Sequence, residues 1–164
     1  MASTGKVWKY GDDVNTDVIF PGKYTYTISD PAEMAEHALE DLDPTFAKGC
    51  GKGDVVVGGN NFGCGSSREQ APISIKEAGA AAIVARSFAR IFFRNAINAG
   101  LLVIVCPEAV DAVEKGDHME IDAEAGTIRA GGATHAFPPF APEVQEILAC
   151  GGLVEYTKQQ VSKQ

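Results

Sequence analysis

Cationic residues are scarce in this 164-residue chain: 14 Lys and Arg stand against 22 Asp and Glu, a formal net charge of -8. That balance repels phosphate backbones and anionic bilayers, so neither a nucleic-acid nor a membrane partner is expected. Long apolar runs are missing as well. No stretch reaches the ~18 consecutive apolar residues of a spanning helix, and the opening segment MASTGKVWKYGDD lacks a signal-peptide core, so a cytoplasmic protein is expected. Cysteine is sparse and dispersed, at Cys50, Cys64, Cys106 and Cys150, without a C-x-x-C or C-x-x-H pair. No self-contained metal site is expected, and the thiols are read as reduced. Three histidines, His37, His118 and His135, have no ligand-spaced companion and are read as surface or satisfied side chains.

What the chain does have is an ordinary globular composition, 45% hydrophobic and 22% charged, at the size of one domain. Residues 1–164 are read as a single domain with a frayed tail at about 158–164. GKVWKY (5–10) reads as a first strand. Asp30 caps a helix that has Pro31 at its first position and Glu33 completing a capping box, with Met34, Ala35, Ala38, Leu39 and Leu42 on one apolar face. Strands are expected at 54–57, 80–85, 101–106, 118–122 and 127–130, and a last one at 153–156. Helices are expected from near Ser66 to Gly79, from a Ser87 cap through Ala99, from Pro107 to about Lys115, and over 142–149. Strands alternating with helices define an α/β architecture.

The segment richest in chemistry is N-F-G-C-G-S-S-R-E-Q-A-P, Asn61 to Pro72. Gly63 and Gly65 allow positive φ and close backbone approach to a ligand. Two hydroxyls, Ser66 and Ser67, and the Arg68 guanidinium follow where a helix N-terminus would add free N–H groups and a positive dipole end. That is a site for a carboxylate or phosphate. A P-loop is excluded, because Gly65 is followed by Ser66 and Ser67 rather than by Lys and a hydroxyl residue. A dinucleotide fingerprint begun at Gly63 would need a small residue where Arg68 stands. The bland alternative is that Ser66 caps a helix and Arg68 pairs with a surface acid.

The segment resembles the G-S-S-R-E signature of the aconitase superfamily, in the form seen in isopropylmalate dehydratase small subunits. Two further stretches carry the same resemblance. Asp13 to Pro21, D-V-N-T-D-V-I-F-P, is similar to the family's D-x-D/N-T-D-x-I-x-P, and Ser87 to Leu101, S-F-A-R-I-F-F-R-N-A-I-N-A-G-L, is similar to S-F-A-R-I-F-x-R-N-A-x-N-x-G-L. One departure is Gln70, where many relatives carry His.

The resemblance implies a swivelling β/β/α domain, equivalent to the fourth domain of single-chain aconitases. It implies a partner, a large iron–sulfur subunit whose cysteines hold a 4Fe–4S cluster with one iron open to substrate hydroxyl and carboxylate. This chain would carry no cluster, and Cys64, though beside the site, gains no ligand role. By the resemblance Ser66 is the base that takes a proton from the carbon next to a carboxylate, while Gly65, Ser67 and Arg68 hold that carboxylate. The acid, a large-subunit histidine, comes from the other chain. The implied reaction interconverts 2- and 3-isopropylmalate by dehydration and rehydration, in leucine biosynthesis.

Tyr24-Thr25-Tyr26-Thr27 aligns with the family's specificity loop, which reads Y-L-R-T in homoaconitase-type subunits. Tyr26 in place of that arginine implies an alkylmalate substrate over a tricarboxylate. The alternatives are a related dehydratase, acting on 2,3-dimethylmalate or of the homoaconitase type, and a carboxylate-binding module without chemistry. Arg86, Arg90 and Arg94 recur every four residues and are read as a helix-face ridge, with docking of the large subunit as the alternative. Asp17 either positions the active-site loop or caps a turn.

Overall fold

The structure is a computed structural model that describes residues 2–164. Its centre is a seven-stranded mixed sheet in the order β4-β3-β2-β1-β5-β6-β7. β1 (Ala2–Lys9), β2 (Val55–Val57), β3 (Ala82–Ala85) and β4 (Leu102–Val105) run parallel, in register Val7 with Val55, Val56 with Ile83 and Ile83 with Val103. On its other edge β1 pairs antiparallel with β5 (His118–Asp122), which continues into β6 (Thr127–Ala130) and β7 (Ala133–Ala136).

β2, β3 and β4 read as continuous apolar runs because both faces of the parallel part of the sheet are covered. Trp8, Val56, Ile83 and Val103 pack into one cluster with Phe20, Leu39, Phe62, Ile75 and Phe92. Val7, Val55, Val57, Val84 and Ile104 pack into a second, with Val110, Met119 and Ile128. The first layer of helices comprises α1 (Thr16–Ile19), a single 3-10 turn (Gly22–Tyr24), α2 (Pro31–Glu36), α3 (Phe46–Gly49), α4 (Gln70–Glu77) and α5 (Arg90–Asn98). α6 (Pro107–Asp111) supplies Ala109 and Val110 to the second cluster. α7 (Pro142–Ala149) and α8 (Leu153–Ser162) complete the chain. No helix among the described residues is long and apolar enough to cross a membrane.

The α/β class expected from the sequence is the one observed, and the strands at 118–122 and 127–130 fall where alternation places them. Several elements differ. Asp30 caps α2 through Ala32 N at 3.2 Å, but the helix stops at Glu36, because Leu39 turns to φ 56° and gives its N–H to Ile19 O. Leu42 of the expected apolar face is consequently exposed. Ser87 does not cap α5; its hydroxyl accepts instead from Asn61 N at 2.8 Å, and Ala89 takes the cap position. The expected last strand is the start of α8. Gly151 and Gly152, at φ 88° and 135°, reverse the chain after α7, and the helix then continues through most of the segment expected to fray. β7 was not expected, although Gly131-Gly132, at φ 60° and 79°, is the two-residue turn of a hairpin.

Candidate active site

β2 runs out of the sheet into the glycine-rich loop, which is stitched to two neighbours. Gly63 N donates to Val14 O, and Thr16 N donates to Cys64 O at 2.8 Å, so the N-terminal connection lies along the loop as an added strand. On the other side Phe62 N donates to Ser87 O and Ala89 N to Phe62 O. Glycine is required at position 63: φ is +84°, and a Cβ there would fall 2.1 Å from Phe92 Cγ. The three segments that carry the sequence resemblance therefore meet at one place.

Thr16 is the residue that fixes Ser66. Its side chain, 1% exposed, accepts from Ser66 N at 3.0 Å, donates to Ser66 O at 3.1 Å and lies 3.2 Å from Ser66 Oγ. A threonine hydroxyl has one proton and two acceptor sites. When that proton is on Ser66 O, the Ser66 hydroxyl donates to Thr16 Oγ1; when it rotates, Thr16 donates to Ser66 Oγ. The second arrangement suits a deprotonated serine. Ser67 is exposed, and its carbonyl accepts from Asn95 Nδ2 at 3.3 Å.

Arg68 lies with its side chain 14% exposed, Nη1 donating to Asp17 Oδ1 at 2.6 Å and to Phe20 O at 2.9 Å. Nη2 has no hydrogen-bond partner among the described residues. A guanidinium anchored through one nitrogen keeps its orientation and can still offer another to an anion. Asp17 is the surface acid with which Arg68 pairs, its side chain 65% exposed, and α1 is capped by Asn15, whose Oδ1 accepts from Asp17 N and Val18 N.

The expected helix from Ser66 is corrected. α4 begins at Gln70, so Ser66, Ser67 and Arg68 lie in the loop before it, and the Ser66 N–H is taken by Thr16 rather than left free for an anion. The Tyr24–Thr27 segment borders the same loop, since Gln70 Nε2 donates to Thr25 O at 3.2 Å and Gly22 sits beside Arg68. Tyr26 itself is 98% exposed and is not brought against Ser66 or Arg68. Arg90 and Arg94 are exposed on α5, whereas Arg86 is paired with Asp111. Thr16 and Asn95 were missed as site residues; each acts on a carbonyl or hydroxyl far away in sequence.

The four thiols do not fit an iron–sulfur cluster. They sit at the C-cap of α3, in the glycine loop, before α6 and at the C-cap of α7, and among the described residues no three His, Cys, Asp or Glu side chains form a group able to hold a metal ion. Burial, aided by the Asp54 carboxylate, pushes the Cys50 thiol up to about 12. Burial also raises that of Cys106.

A mixed sheet whose strand β2 feeds a glycine-rich loop carrying Ser66, Ser67 and Arg68, with the loop bonded to residues 13–16 and 87–89, is the architecture of an aconitase-type domain. The chain belongs to the aconitase C-terminal domain family, whose model matches residues 19–109. Within that family it is similar along nearly its whole length to 3-isopropylmalate dehydratase small subunits. That of Heliobacterium modesticaldum is 48% identical over 165 residues, 99% of each chain, and that of Aquifex aeolicus 50% identical, covering 99% of this chain and 98% of its own. A solved structure of 3-isopropylmalate dehydratase from Methanocaldococcus jannaschii superposes with a TM-score of 0.93 at 46% identity, covering 100% of this chain and 98% of that one.

Proposed function

We propose that this chain is the small subunit of a 3-isopropylmalate dehydratase, a hydro-lyase that interconverts 2- and 3-isopropylmalate by dehydration and rehydration together with a separate large subunit. Full-length similarity to proteins of that name supports the reaction class. The observation that carries the site is the Thr16–Ser66 contact beside the anchored Arg68. The 4Fe–4S cluster is assigned to the large subunit, where its chemistry resides. In this chain Arg68, through the nitrogen not held by Asp17, and Ser67 bind one substrate carboxylate. Ser66 Oγ takes the proton from the adjacent carbon, which the bound carboxylate acidifies. A neutral serine is a poor base, and it becomes effective only as an alkoxide, whose negative charge donors must hold away from water until it takes the substrate proton. Rotation of the Thr16 proton onto Ser66 Oγ supplies one such donor. Closure of the large subunit over the exposed loop supplies the exclusion of water.

The alkylmalate reading is favoured over the homoaconitase type by Tyr26, which offers an aromatic ring and no cation to a third carboxylate; an unpaired, desolvated carboxylate costs several kcal/mol. The test is reconstitution with the large subunit. The assembled enzyme is expected to interconvert the isopropylmalates and the Ser66→Ala enzyme to lose about 10²- to 10⁴-fold in kcat, at unchanged subunit affinity. Near-normal turnover of Ser66→Ala would remove Ser66 from the chemistry.

A further inference from the structure

The segment Tyr24–Thr27 is held from two sides by residues that belong to neither the base nor the carboxylate site. From α4, Gln70 Nε2 donates to Thr25 O at 3.2 Å. From the end of α2, the His37 ring stacks on Tyr24 at 4.0 Å between centroids and 29° between planes. Glu40 Oε1 ties the two together, accepting from Tyr24 OH at 3.4 Å and lying 3.1 Å from His37 Nδ1. The turn's own bonding is slight: Thr25 N to Gly22 O, and Thr27 N and Ile28 N to Tyr24 O, at 3.0 to 3.2 Å. Thr25 Oγ1 and Glu40 Oε2 are buried without a hydrogen-bond partner among the described residues. Two of its four residues are clamped, and Tyr26 projects from between the clamped Thr25 and buried Ile28 into solvent.

We propose that Gln70, His37 and Glu40 are positioning residues that set the direction of Tyr26 and thereby the substrate side chain the enzyme accepts. Gln70 is the key member, because it stands two residues after Arg68 and so couples the carboxylate loop to the turn. A movement of one reports on the other. Discrimination between alkyl groups is a difference in contact with a surface held at a fixed distance, and it is lost when that surface wanders. The proposal rests on the reading of the Tyr24–Thr27 turn as the substrate-selecting segment.

The experiment compares Gln70→Glu, which replaces the amide donor by an acceptor facing the Thr25 carbonyl, with Gln70→His, which restores an N–H. Amide hydrogen exchange of Thr25, Thr27 and Ile28 in the full chain is expected to quicken several-fold in Gln70→Glu only. In the assembled enzyme the ratio of kcat/KM for isopropylmalate over 2,3-dimethylmalate is expected to fall about 5- to 10-fold in Gln70→Glu, mainly through KM, and to recover in Gln70→His. Exchange unchanged at the turn overturns the positioning role. Quicker exchange with an unchanged substrate ratio overturns the link to selection. Wild-type enzyme inactive on every alkylmalate would instead overturn the proposed function, and the exchange data would still judge the tether.

Discussion

Replacing Thr16 by Val keeps the shape of a buried side chain and deletes only the hydroxyl that touches Ser66. Two consequences separate. For stability, the lost bonds are neutral ones to a residue that is itself exposed, so water can serve the Ser66 N–H in their place, and the cost is about 0.5–1.5 kcal/mol. The backbone bond from Thr16 N to Cys64 O remains. For turnover, the hydroxyl donates to a serine oxygen that must be negative before it can take the substrate proton, and a hydrogen bond to a charged group is worth roughly 1.5–3 kcal/mol. At about 1.4 kcal/mol per decade that is a fall in kcat of about 10- to 150-fold. KM should hardly move, since Thr16 does not touch the substrate in this reading. Thr16→Ser, which keeps the hydroxyl and loses a methyl, should stay within about threefold of wild type on the same scale. The assay is steady-state isopropylmalate isomerisation by the reconstituted enzyme, with thermal unfolding run alongside. Equal losses in the Val and Ser variants, or a Val variant within twofold of wild type by the same conversion, would refute a role for the hydroxyl and leave Thr16 as packing.

Tyr26→Arg should raise kcat/KM for homocitrate relative to isopropylmalate, and a wild-type enzyme that already prefers homocitrate would sink the assignment of that residue. Asp54, 8% exposed, accepts from Trp8 Nε1, Lys6 N and Gly51 N at 2.8 to 3.0 Å. Burial alone would raise its pKa, but these donors outweigh it and hold the carboxyl below the usual range. A depressed folded-state pKa stabilises above the unfolded value of about 3.9 and is lost as pH falls through the folded one. Asp54→Asn should therefore cost about 1–3 kcal/mol near neutrality. Denaturant titrations from pH 7 downward should show that difference narrowing below about pH 4. A difference that stays constant to pH 2 would mean that the charge is not what matters.

What was legible in the sequence and what was not divides along the range of the interactions. β5 and β6 were readable because Met119, Ile121, Ile128 and Ala130 alternate with exposed neighbours, a signal contained in a few adjacent residues. The start of α4 was not, because Ser66 is drawn out of the helix by Thr16, 50 residues earlier. Ser87 has the identity of a helix cap, yet its acceptor is spent on Asn61, 26 residues away. α8 reads as a strand because Leu153, Val154 and Tyr156, with Glu155 among them, follow two glycines and are too few to show a period of their own, and the helical one emerges only over the polar residues that follow. In the candidate site Ser66, Ser67 and Arg68 are legible as a string and Asp17 as one of two readings, while the contacts of Thr16 and Asn95 with that string are revealed only when distant segments are brought together.

The placement of β1 at the middle of the sheet has a consequence for how the polypeptide comes into being. This first-made strand pairs on one side with residues 55–57 and on the other with residues 118–122. A chain emerging from the ribosome thus holds this strand with two open edges until residues 55–57 are made, and with one open edge until β5 arrives. Pairings this far apart along the chain make for slow folding and a prolonged exposure to edge-to-edge association.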